Sequence, residues 1–305
     1  MARWRVPARL AAVAALALAA CGDDDAAPSG TTSGTVPIET AVAAPPTDEP
    51  ASTAPPESAV ATTAPDVAST PLPTTTLGGI ADVAIDADEV RELGRSVQGR
   101  PILAVRRGDP TGVPVVVIGV IHGDEDDGVA ILERLATAPV PPGVALSLVE
   151  SMNPDGQAAE QRGNANLVDL NRNFPHQWGP IGMPGDGQYA GTGPASEPET
   201  QAVVAFLTEL DPVLVLWYHQ DLFRLSPGQG LEGELKQRYA ELTGLPIERI
   251  TGGTYTGVAA TWARNATRAV SFIVELGATL APEEADAHAA AVLDIAERAA
   301  VATAG

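Results

Sequence analysis

The 305-residue chain has one cysteine, Cys21, which excludes an intrachain disulfide and a thiolate-rich metal site. Cations are scarce as well, with 18 Lys and Arg against 39 Asp and Glu, a net charge of −21. That balance argues against nucleic acid or an anionic surface as partner and is the balance of a solvated acidic exterior. There are four histidines, His122, His176, His219 and His288, so any imidazole-based site draws on a short roster. No internal repeat is evident, and aromatic residues make up 4% of the chain.

The amino terminus reads as a targeting segment. Residues 1–20 carry Arg3, Arg5 and Arg9, then an apolar run too short to span a bilayer comfortably, then small residues, the pattern of an export signal. The run closes Leu18-Ala19-Ala20-Cys21, which resembles a bacterial lipobox and predicts lipidation of Cys21. Residues 21–76 are rich in Ala, Pro, Thr, Ser and Asp, without hydrophobic period, and predict a disordered tether that holds a folded domain away from the membrane. The expected location is the outer face of a bacterial cell membrane, with contact through the lipid alone.

Residues 77–305 are long enough for one domain with a large core. Strands are expected near Ile102–Arg106, Val113–Ile121, Ala145–Glu150, Val213–Tyr218 and Ala269–Leu276, several of them continuously apolar. Helices are expected over Gly128–Thr137, Ser196–Leu210, Gly233–Thr243 and Pro282–Ala302, the second opened by a capping box at Ser196-Glu197-Pro198-Glu199. Strands alternating with helices imply an α/β fold, a three-layer α/β/α arrangement around a largely parallel mixed sheet. Such sheets place ligand sites at strand carboxyl ends.

The polar residues gather there. Ile121-His122-Gly123-Asp124-Glu125 follows the run Val113 to Ile121, and His122 with Glu125 is a pair that zinc accepts. His219, at the end of the strand Val213–Tyr218, is the natural third ligand. His176 is a weaker competitor, and His288, on a helix of alanines, reads as a partly exposed surface residue. Glu275 ends another apolar run and needs a partner or a job; the base for a zinc-associated water is one, an ion pair the other. Asn153-Pro154-Asp155-Gly156 is a turn signature. Arg172 beside Asn171, with Arg162 nearby, forms a candidate multi-donor clamp for a carboxylate.

Taken in order, Leu93 to Pro101, His122-Gly123-Asp124-Glu125, Asn153-Pro154-Asp155-Gly156, Asp169 to Phe174, His219 and Val274-Glu275-Leu276 resemble the zinc metallocarboxypeptidases of the carboxypeptidase A type. The spacing of Arg162 to Asp169 is similar to that of the compact bacterial branch, which includes murein peptide amidases. The resemblance implies one zinc ion held by His122, Glu125 and His219, with Glu275 activating water. It implies that Asn171 and Arg172 bind the substrate's terminal carboxylate, that Arg162 polarises the scissile carbonyl, and that Asp169 orients His122. Tyr255 is the best match to the family's mobile active-site tyrosine. The expected partner is a peptide with a free carboxylate, such as a cell-wall stem peptide, and the expected state is a monomer.

Three features depart from the family pattern or leave it silent. Leu167 stands where the family commonly has glycine, Gln220-Asp221 after His219 has no assigned role, and Val258 to Thr261 carry no charge, a hint against a pocket for basic side chains. Two rival readings stand beside the peptidase. One is a zinc deacylase of the aspartoacylase type, which also uses a His-Gly-x-Glu pair and a Leu-Asn-Arg segment; the other is a non-catalytic binding module on the same fold.

Overall fold

The computed structural model describes residues 79–80, 89–253 and 255–303, all within the compact unit Ser69–Gly305. The export signal, Cys21 and the tether lie outside the described residues.

Six strands form one mixed sheet: β1 (Glu89–Arg95), β2 (Pro101–Gly108), β3 (Val113–Val120), β4 (Val144–Ser151), β5 (Leu214–Gln220) and β6 (Val270–Leu276). Their spatial order is β1-β2-β4-β3-β5-β6. The pairs β1/β2 and β2/β4 are antiparallel, while β4/β3, β3/β5 and β5/β6 are parallel. Among the described residues six α-helices follow in chain order: α1 (Gly128–Leu135), α2 (Pro154–Ala158), α3 (Pro198–Leu210), α4 (Gly230–Thr243), α5 (Ala259–Ala266) and α6 (Pro282–Thr303).

The continuous apolar runs are explained by two cores, one on each face of the sheet. Along β3, Val115 and Val117 join a cluster with Leu132, Leu235 and Ile295 from α1, α4 and α6. Their neighbours Val116 and Ile118 join the opposite cluster, with Val203 and Phe206 of α3 and Trp262 of α5. A strand buried on both faces has no polar position to give, so alternation disappears from its sequence.

Several local expectations are corrected. β1 is an additional strand; its sequence Glu89-Val-Arg-Glu-Leu-Gly-Arg95 is mostly charged because it is the sheet's edge, where charged side chains discourage further pairing. The capping box does not form: α3 starts at Pro198 with Glu197 at the cap and no side-chain capping bond. Ser196 Oγ instead donates to Glu197, and Glu199 accepts from Val97 N and Asn164 Nδ2. α5, unforeseen as a helix, buries Ala259, Ala260, Trp262 and Ala263 over only eight residues, too short a span for periodicity to stand out.

His288 is not a surface residue. It is 3% exposed, and its Nδ1 lies 2.6 Å from Tyr239 Oη, which in turn is 2.8 Å from Tyr218 Oη. The alanines around it are what lets α6 pack closely enough to enclose it; the same alanines that suggested a featureless surface are the buried face of that helix.

Candidate metal centre and active site

His122, Glu125 and His219 come together at the carboxyl ends of β3 and β5, with their ligand atoms all within 4.8 Å of one another. His122 Nδ1 lies 2.9 Å from Glu125 Oε2, His219 Nδ1 lies 3.1 Å from the same oxygen, and the two Nδ1 atoms are 3.2 Å apart. His176 is not part of this group.

The loop that carries His122 and Glu125 has to double back, and its packing explains the turn motif. A side chain on Gly123 would run into the backbone of Gly156, and one on Gly156 would strike Asn153. Asn153 Nδ2 donates to Ile121 O and Arg162 O, while its Oδ1 accepts from Gly156 N. Asp155, next in the motif, accepts from Ser96 Oγ and Gln98 N. The Asn153–Gly156 turn, which includes the start of α2, thus braces the His122 loop and ties it to the segment joining β1 and β2.

Asp169 fixes the imidazole. Its Oδ1 is 2.9 Å from His122 Nε2 and also accepts from Asn171 N, and its Oδ2 accepts from Arg162. Because a carboxylate only accepts, the proton of a neutral His122 sits on Nε2, and its Nδ1 lone pair faces Glu125. Two acceptors 2.9 Å apart need a proton or a cation between them. Two imidazoles and a carboxylate without a thiolate fit zinc, a donor set with room for a further ligand. The electrostatics agree: burial lowers His219 to about 4, so it is neutral near pH 7. Burial alone would raise Glu125 and Asp169, but the imidazoles beside Glu125, and His122 and Arg162 beside Asp169, outweigh it and keep both ionised.

Glu275 on β6 pairs in register with His219 on β5 and lines the same cavity of about 640 Å³ as the three ligand residues. Burial, with the charge of Glu125, raises its carboxyl to about 7, where a group exchanges protons readily near neutral pH. Arg172, 4% exposed, also lines the cavity. Its Nη1 donates to Asn171 O, its buried Nε has no partner, and its guanidinium carbon stands 5.1 Å from the centre of the Tyr255 ring. A guanidinium that lines a cavity and spends one of its five N–H groups on a protein acceptor has donors left for an anion.

The other expected site residues lie around the same cavity, two of them tied to it by hydrogen bonds of their own. Asn171 Oδ1 accepts from Ala259 N, which leaves its Nδ2 3.4 Å from His219 Nε2; an amide NH2 has two N–H groups, so a donor remains for a substrate carboxylate. Arg162 donates to Glu125 Oε1 at 2.7 Å and to Asp169, bracing one expected ligand against the other's support. A guanidinium has five N–H groups, so donors remain for a substrate oxygen. Tyr255 is 51% exposed at the cavity mouth.

Gln220 acquires a role that its sequence did not suggest. Its backbone N donates to Glu125 Oε2, and its side-chain amide pairs with Asp127 N and Oδ2. It therefore clamps both ends of the Glu125 loop. Leu167 sits at φ 61°, the left-handed region where glycine is favoured, so the backbone shape of that turn persists although the glycine does not. Asn164 templates it by accepting from Asn166 N and Val168 N.

The zinc carboxypeptidase family matches residues 143–221, a segment with Arg162, Asp169, Asn171, Arg172 and His219. Among curated proteins, murein peptide amidase A of Escherichia coli (strain K12) is 29% identical over 180 residues, covering 55% of this chain and 74% of the relative. Carboxypeptidase SOL1 of Arabidopsis thaliana is 31% identical over 166 residues, covering 48% and 32%. Among solved structures, murein-tripeptide amidase MpaA from Escherichia coli O157 superposes with a TM-score of 0.55 at 24% identity, covering 72% of this chain and 94% of that one. Carboxypeptidase A from Helicoverpa armigera gives a TM-score of 0.62 at 19% identity, covering 74% and 71%. At these identities the two structures establish the fold, and the expected α/β architecture is the one found.

Proposed function

We propose that this chain, a peptide hydrolase of the zinc carboxypeptidase family, is an exported lipoprotein that cleaves a peptide or amide bond next to a free carboxylate in cell-wall stem peptides. One observation carries the reading: a two-imidazole, one-carboxylate cluster, a carboxyl group raised to about 7 and a buried arginine outside any ion pair among the described residues line one cavity. The substrate class rests on the amidase relatives. Export and anchoring rest on residues 1–21 of the sequence alone.

His122, Glu125 and His219 would hold one zinc, which supplies a Lewis acid and an acidified water when bound. Glu275 takes the proton of the attacking water and delivers it to the leaving amine, a role suited to a carboxyl raised to about 7. Arg172 receives the substrate's carboxylate through its remaining N–H groups and so sets the scissile bond over the cluster. The spare donors of Arg162 face the oxygen on which charge develops. Asn171 and Gln220 hold the ligands in place.

The test is product release from purified stem peptides, followed by mass spectrometry, before and after chelation and after adding zinc. Release that survives complete metal removal overturns the mechanism. Release from N-acyl amino acids but not from peptides selects the deacylase reading. For the anchor, Cys21→Ser should move the protein from the membrane fraction to the soluble exported fraction without loss of turnover.

A further inference from the structure

The cavity continues beyond the cluster along the outer edge of β6, upstream of the bridge from Arg224 to Glu275, between α4 and α5. Ser226, Lys236, Thr261, Arg264 and Phe272 line it there. Lys236 on α4 is 1% exposed; its Nζ is 2.6 Å from Glu232 Oε1 and 3.3 Å from Ser226 Oγ, and it stands 5.3 Å above the Phe272 ring. From α5, Arg264 donates to Ser271 O at 2.6 Å and to Thr261 Oγ1 at 3.2 Å, and its Nη1 is 3.7 Å from the same Glu232 oxygen.

Two cations therefore share one carboxylate, and Glu232 is not among the cavity's lining residues, whereas both cations are. The chamber faces its contents with positive charge, and an ammonium with three N–H groups has one left beyond Glu232 and Ser226. Phe272 lies three residues before Glu275, about 10 Å along the strand, a depth suited to the end of one extended side chain. The stretch Val258–Thr261, most of which lines the cavity, adds no charge to it.

We propose that this chamber selects, on the carboxylate side of the scissile bond, a residue whose side chain is at least as long as glutamate and ends in a carboxylate, bound by Lys236 and Arg264. The proposal rests on the peptidase reading for its position in the substrate. A basic side chain meets like charge and an aliphatic one leaves both cations without an added partner.

The test uses the zinc-loaded full chain and N-acyl dipeptides ending in Glu, Gln, Leu or Lys. The Glu peptide should exceed its isosteric Gln partner by about tenfold or more in kcat/KM, the size of one charge-assisted hydrogen bond. Arg264→Gln, at a partly exposed position, should collapse the Glu-to-Gln ratio toward one, and Lys236→Gln should do the same. Calorimetric binding of free glutamate against glutamine reads the chamber independently of turnover. A glutamate preference in binding without cleavage of any peptide overturns the peptidase reading and supports this one. Equal cleavage of the Glu and Gln peptides, or a ratio untouched in both variants, overturns it.

Discussion

His122 Nε2 and Asp169 Oδ1 stand 2.9 Å apart with both residues 1% exposed, joining two motifs 47 positions apart in sequence. The contact does more than orient a ring. Since Asp169 also caps the turn Leu170–Arg172 and binds Arg162, which in turn holds Glu125, one carboxylate sets the position of two candidate ligands and of the arginine that would bind substrate.

Asp169→Asn should therefore weaken zinc binding by about 10- to 100-fold, the usual consequence of removing the carboxylate behind a metal-bound imidazole. Competition with a chromogenic chelator at fixed pH measures it. An unchanged zinc affinity would remove Asp169 from the support of the site.

Glu275→Gln should keep zinc and substrate affinity while lowering kcat by about 10² to 10⁴, because the amide cannot take a proton. Metal analysis and steady-state kinetics on the same preparation separate the two. A variant with near-normal kcat would leave Glu275 as a half-buried acid with no part in the chemistry.

How much of this was legible in sequence depends on what each residue type is for. His122, Glu125, His219 and Glu275 could be singled out because ionisable groups at the ends of buried strands are costly without a function, and β3, β5 and β6 announce themselves by apolar runs. Gln220 could not: an amide after a strand says nothing until its partner Asp127, far away in sequence, is placed beside it. Nothing in the sequence of α4 singles out Lys236, and only the fold shows that its ammonium stands 5.3 Å from the centre of the Phe272 ring of β6. His288 was misread for the converse reason, since an alanine-rich helix looks the same whether its small side chains face water or permit close packing.

That buried histidine predicts an acid limit to stability. Burial lowers His288 to about 4 in the folded chain, against an ordinary value of about 6.5 when unfolded. The unfolded chain then binds the proton first as pH falls, so this contribution is intact above about 6.5 and is lost progressively down to about 4, on the order of 3 kcal/mol in all. His288→Asn, which keeps an acceptor for Tyr239 but does not titrate, should flatten the decline. Urea midpoints at stepped pH between those limits measure it, and identical slopes for the two proteins would assign the acid sensitivity elsewhere.

Arg172 offers the sharpest test of how the substrate is held. Its guanidinium lines the cavity, donates one N–H to Asn171 O and is in no ion pair among the described residues, so an arriving carboxylate gains charge-assisted hydrogen bonds from the remaining N–H groups without displacing one. Such bonds contribute about 1.5 to 3 kcal/mol each, and here they would also fix the scissile bond over the metal ligands. Amidating the terminal carboxylate of a good substrate should lower kcat/KM by roughly 10² or more, and Arg172→Ala should impose a similar loss on the free acid. The two losses should not add, because each deletes the same interaction, and in the Arg172→Ala protein amidation should matter much less. Wild-type protein that cleaves free and amidated peptides equally well would place the terminal carboxylate away from Arg172, and cleavage within a longer or cross-linked stem would become the better account of the cavity.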